Sequence, residues 1–79
     1  MNKILELAKS ANLPLKDIKD ISEYLEHREW GLAFEILCSA LKEYKISISN
    51  VDYNELKKLG EKMEMDKKLW EDIPNDKLI

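Results

Sequence analysis

The sequence has little of the residue types that staple small proteins or build metal sites. Its 79 residues include one Cys, one His, two Gly and two Pro. One Cys cannot form an internal disulfide, and one Cys with one His cannot complete an ordinary structural zinc site. We therefore expect neither a metal nor any other cofactor, and a fold that depends on its apolar core alone.

Long hydrophobic runs are also missing. No segment approaches the roughly 20 apolar residues of a transmembrane helix or the apolar stretch of about 7–15 residues in a signal peptide. The charge near the start of the chain, at Lys3 and Glu6, interrupts any such stretch. We expect a protein of the cytoplasm without membrane contact, where an unpaired Cys stays reduced.

The composition favours a folded protein. Hydrophobic residues make up 44% of the chain and charged residues 37%, which is too apolar for a disordered chain. The length fits one domain, residues 1–79. The net charge of −3 repels phosphate backbones, so we expect no nucleic-acid partner. Lysines of the C-terminal third are interleaved with acids, which disfavours a DNA-binding helix-turn-helix.

Helical periodicity dominates the sequence and predicts an all-α bundle of four main helices plus a short C-terminal fifth. The predicted helices span about 2–11, 14–27, 31–45, 50–63 and 66–73, and residues 75–79 are expected to fray. The third is apolar around most of its circumference, including Leu32 and Tyr44, and is therefore expected at the centre. The second has a narrow apolar face: Leu15, Ile18, Ile21 and Leu25.

Several single residues carry structural predictions. Ile46 and Ile48 alternate with polar residues in a short connector and are expected to dock inward. Ser49 or Asn50 then caps the fourth helix, and Asp66 the last. Gly60, in mid-helix, indicates either close packing or an early helix end. The core is expected to include three further residues: Trp30, Cys38 and Trp70.

Two groups of polar residues are candidates for a partner-binding surface. The first shares one flank of the second helix: Asp17, Asp20, Tyr24 and His27. The second lies at the following junction and on the polar stripe of the central helix: Glu26, Glu29 and Glu35. A Tyr among acids resembles a binding hot spot with its rim. The alternative is an ordinary solvated face, in which Glu29 stabilises a helix N-terminus.

The segment 26–73 resembles a known family. Its most diagnostic run is acid-aromatic-Gly-Leu-Ala-x-Glu-x-Leu, here 29–37, and the connector 44–49 and Trp70 support it. The pattern is similar to that of the Maf-type immunity proteins, which accompany polymorphic toxins and contact-dependent growth inhibition systems in bacteria. The resemblance implies binding and neutralisation of a cognate toxin domain, often an EndoU-type ribonuclease.

The expected mechanism is stoichiometric 1:1 occlusion of the toxin's active-site cleft by a protein that is monomeric when free. No catalytic residues are expected, because His27 has no nucleophile near it in sequence. The main alternative is a helical adaptor or regulatory interaction module unrelated to toxins. A transcriptional antitoxin is a third reading, which the acidic charge disfavours.

Overall fold

The computed structural model describes residues 2–74. These form four helices, α1 (Asn2–Ser10), α2 (Leu15–Glu26), α3 (Trp30–Glu43) and α4 (Asn50–Lys62), followed by a single 3₁₀ turn (Lys67–Leu69). The all-α prediction of four main helices and a short fifth is confirmed, the fifth being this turn. The segment 75–79, which was expected to fray, lies outside the described residues.

Helix α3 supplies much of the core, as its apolar circumference predicts. Its buried residues are Ala33, Phe34, Leu37, Cys38, Ala40 and Leu41. It packs against α1, α2 and the 3₁₀ turn. The Phe34 and Trp70 rings meet edge to face, with centroids 6.0 Å apart and planes at 75°, an arrangement that aromatic quadrupoles favour.

Helices α2 and α3 form an antiparallel hairpin with a three-residue connection. The N–H of Glu29 donates to the carbonyl of Tyr24 at 2.8 Å, and Arg28 between them adopts a left-handed conformation with φ 59°. This connection brings the first turn of α2 beside the last turn of α3. The hairpin therefore places Asp17 near Tyr44, whose hydroxyl interacts with it.

All four helices end in the same way. A non-glycine residue with positive φ follows each helix: Asn12, Arg28, Lys45 and Glu64. The N–H of the next residue then donates to the carbonyl five residues back, as in Leu13 to Ala8 and Met65 to Gly60. These are the bonds of a Schellman motif, which usually has glycine at its left-handed position.

The predicted connectors and caps are confirmed. Ile48 is buried, Ile46 is half-buried, and the Ile48 N–H donates to the carbonyl of Pro74 at 3.1 Å. The Ser49 hydroxyl accepts from the N–H of Asp52, and the Asp66 carboxylate accepts from that of Lys68. Lys3 Nζ lies 2.9 Å from Glu55 Oε1 and links α1 to α4.

Four predicted core positions are wrong. Trp30 is 41% exposed and Leu15 83% exposed, and Leu32 and Tyr44 are also exposed. Trp30 and Leu15 are the first residues of α3 and α2. Leu13, just before α2, is buried instead of Leu15, and Trp70 rather than Trp30 packs on Phe34.

Candidate partner-binding surface

A groove of about 320 Å³ runs between α2 and α3. We call it the acidic groove; its lining residues are Asp17, Asp20, Tyr24, Leu32, Glu35, Ile36, Ser39, Ala40 and Glu43. The groove contains residues from both candidate groups for a partner-binding surface, because Glu35 of α3 faces the flank of α2 that carries Asp17, Asp20 and Tyr24. The sequence places these residues on two separate helices, and the hairpin brings them together.

The acidic groove has charge of one sign. Four carboxylates line it, and no Lys or Arg is among the described residues of its lining. Tyr24 and Ile36 are half-buried and Ala40 is buried, so apolar surface lies between the carboxylates. Facing walls of like charge with an apolar floor produce a negative potential that attracts cationic groups.

The carboxylate of Asp17 interacts with the hydroxyl of Tyr44. Hydrogen bonding with Asp17, followed by its negative charge, raises the pKa of Tyr44 above its ordinary value of 10.0. Oδ2 of Asp17 is buried and has no hydrogen-bond partner among the described residues. A buried carboxylate oxygen without a donor is costly, so an incoming donor would stabilise this position.

The other candidate residues lie elsewhere. Glu29 lines a second groove at the start of α3, and Glu26 lines a third between α1 and α2. His27 is exposed, as the residue that follows α2, and lines none of these three grooves. The structure therefore separates Glu26, His27 and Glu29 from the acidic groove.

The second groove is a feature that the sequence reasoning missed. It has a volume of about 500 Å³. Five of its lining residues, which we call the Trp30 shelf, are Trp30, Gly31, Leu32, Met63 and Met65. Leu32 lines both grooves, so the shelf extends the acidic groove at the N-terminal end of α3. Leu32, Ile36 and Glu43 are spaced to lie on one face of α3. This spacing is the sequence signal that places all three along the acidic groove, up to the shelf.

The one thiol of the chain, that of Cys38, is buried in the core. Burial raises the pKa of the Cys38 thiol from 9.0 to about 12, so it stays protonated and unreactive at neutral pH. Within residues 2–74 no group of three or more His, Cys, Asp or Glu side chains is arranged to hold a metal ion. None of the helices described is long and apolar enough to cross a membrane.

Comparison with known proteins adds no assignment to this geometry. No protein-family model, no curated protein and no solved structure matches the chain.

Proposed function

We propose that this protein is an immunity protein that neutralises a cognate bacterial toxin domain. The toxin is an RNA-cleaving enzyme, and the two proteins form a 1:1 complex in the cytoplasm. The acidic groove carries this proposal, because it combines four carboxylates with Tyr24 and a half-buried apolar floor. The resemblance of 26–73 to Maf-type immunity proteins supports the same role.

Charge complementarity gives the physical reason. A ribonuclease must present cationic groups to the phosphates of its substrate, so its active-site cleft attracts a negative surface. The carboxylates of Asp20 and Glu35, on facing helices, match such a cleft. Opposite charges accelerate association, whereas Tyr24 and Leu32 supply the apolar area that slows dissociation.

The buried oxygen of Asp17 adds a specific point of contact. Asp17 lines the groove, and its Oδ2 has no donor from the described residues but is shielded from solvent, so a donor reaches it only after the surrounding side chains move. A lysine or arginine of the toxin that enters the groove would donate to it, and charge-assisted hydrogen bonds are the stronger kind. The free protein then carries an unsatisfied acceptor that the complex removes.

Titration of the protein into an RNA-cleavage reaction tests the proposal. The enzyme is the toxin domain encoded beside this protein, at a concentration well above the dissociation constant. We expect cleavage to fall linearly and to stop at one equivalent, because immunity complexes of this kind are tight. An active toxin domain that is neither bound nor inhibited contradicts the proposal and favours the adaptor reading.

A matched pair of double variants tests the groove itself. Asp20→Asn with Glu35→Gln removes two charges inside it, whereas Glu61→Gln with Glu64→Gln removes two exposed charges outside its lining. We expect the first pair to weaken inhibition by about tenfold or more, and mainly at low salt. The second pair should inhibit like the native chain. Equal effects of both pairs would place the interface elsewhere.

A further inference from the structure

The Trp30 shelf is an exposed apolar surface on a small protein. Trp30 is 41% and Leu32 42% exposed, and the shelf is completed by the half-buried Met63 and Met65. Exposed Trp is enriched at binding hot spots, and Met side chains adapt their shape to an apolar partner. A domain of this size normally buries such residues in its core.

Gly31 at the base of the shelf is not required by the fold. Its φ is not positive, and a Cβ built on it would lie 3.9 Å from the nearest atoms, Cε and Sδ of Met65. Alanine is therefore accommodated there and favours a helix over glycine. Gly60, the other glycine of the chain, has no such room, because Trp70 occupies the position of its Cβ. A methyl group at position 31 is small compared with the groove of about 500 Å³ and would leave the shelf open.

Together the two grooves form one surface along α3 whose two ends differ chemically. Asp17 and Glu43 lie at one end of the acidic groove, and Leu32 at the other end joins it to the Trp30 shelf. At 1.5 Å per residue, α3 spans about 20 Å from Glu43 to Trp30. An extended segment of about six residues covers this distance, since each residue advances about 3.3 Å.

We infer that the acidic groove and the Trp30 shelf together bind one extended segment of a partner protein. This inference rests on the proposed function and specifies which part of the toxin is held. The segment carries lysine or arginine side chains at the end near Asp17 and Glu43. A large apolar side chain at its other end lies on the shelf. Charge complementarity selects this occupant, because four carboxylates and no cation line the acidic groove. The second groove is mainly apolar, and its two charged lining residues, Arg28 and Glu29, have opposite signs.

Synthetic peptides of about ten residues test the inference directly. The probe has a run of lysines at one end and a run of leucines at the other, and is made in both chain directions. Serine replaces the leucines in one control and glutamate replaces the lysines in another. Trp30 reports binding, because Trp70 is only 4% exposed and is shielded from an aqueous quencher such as acrylamide.

We expect one direction of the lysine–leucine peptide to protect Trp30 from acrylamide. Both control peptides should bind at least about tenfold more weakly, the loss expected when a hot spot is removed. Equal binding of the serine control contradicts a role for the shelf, and equal binding of the glutamate control contradicts a role for the acids. Concentration-dependent dimers that protect Trp30 without peptide would make a second copy of the chain the occupant, and the inference would be wrong.

Two variants separate the shelf from general surface effects. Met65→Ser removes an apolar side chain of the shelf that does not line the acidic groove, and should weaken peptide binding by about tenfold. Leu15→Ser removes an apolar side chain that is 83% exposed and lines neither groove, and should bind like the native chain. Native-like binding by a folded Met65→Ser protein overturns the inference.

The same variants in the RNA-cleavage titration distinguish the two proposals. If native protein inhibits the toxin and a folded Met65→Ser protein inhibits equally well, the proposed function stands and this inference fails. If the native protein binds the peptide but not the toxin domain, the surface stands and the proposed function fails.

Discussion

Trp70 lies directly against the backbone of Gly60. A Cβ at position 60 would be 2.3 Å from Cζ3 of Trp70 and 2.8 Å from two further ring atoms. The ring is itself confined, because its edge-to-face partner Phe34 is fully buried. The glycine of α4 therefore allows the C-terminal 3₁₀ turn to close over the core.

The two glycines of the chain should respond oppositely to alanine. Gly60→Ala forces the Trp70 ring out of place, and we expect it to lower the free energy of unfolding by about 2 kcal/mol or more, as overpacking does. Gly31→Ala has room for its methyl group and should be neutral or stabilising by up to about 1 kcal/mol. Urea denaturation of both variants measures the difference. A Gly60→Ala protein as stable as the native one would show that Trp70 packs elsewhere.

Glycine should stabilise the protein where a helix ends in the left-handed conformation. Lys45 and Glu64 have φ values of 52° and 59°, which cost an L-residue about 1 kcal/mol. We therefore expect Lys45→Gly and Glu64→Gly each to raise the free energy of unfolding by about that amount. The control is Lys58→Gly, inside α4, which should lower it by about 1 kcal/mol. The melting temperatures of the three variants should rise or fall accordingly.

Burial of Cys38 makes stability depend on alkaline pH. Its pKa is raised from 9.0 to about 12 by burial, with a smaller contribution from the charge of Glu35, while Lys42 lowers it. Between these values the unfolded chain loses the thiol proton and the folded chain keeps it, so the free energy of unfolding falls as pH rises. The slope from this group approaches about 1.4 kcal/mol per pH unit. Cys38→Ala lacks the thiol and should show a correspondingly smaller slope in denaturant titrations.

Titration of Tyr44 reports whether Asp17 faces it in solution. Hydrogen bonding with Asp17 and its charge are the leading causes of the raised pKa of Tyr44, followed by burial and the charge of Glu43. Asp17→Asn should therefore lower this pKa toward 10.0, and Glu43→Gln should lower it less. The ultraviolet absorbance of tyrosinate measures both shifts, and Tyr44→Phe identifies the signal. No shift in Asp17→Asn would mean that the α2–α3 hairpin leaves the two side chains apart.

Local features of the sequence determine the helices and their ends. Apolar side chains at helical spacing define α1 to α4, because the apolar face of an amphipathic helix is stable only when it packs against a core. Ser49 and Asp66 are predicted as caps from their residue type and their position just before a helix. The structure confirms both, because their side chains accept from N–H groups two or three residues later. These interactions act within one turn of the chain and need no knowledge of the tertiary fold.

The tertiary structure decides which apolar residues are buried and which acidic residues line the same groove. Trp30 and Trp70 are equally plausible core residues in the sequence, but only Trp70 is buried. Its ring packs against Phe34 and against the backbone of Gly60. Asp17 and Glu35 belong to different helices and come together because the 27–29 connection folds α2 back along α3. Both outcomes depend on packing between residues distant in sequence, which periodicity along one helix does not specify.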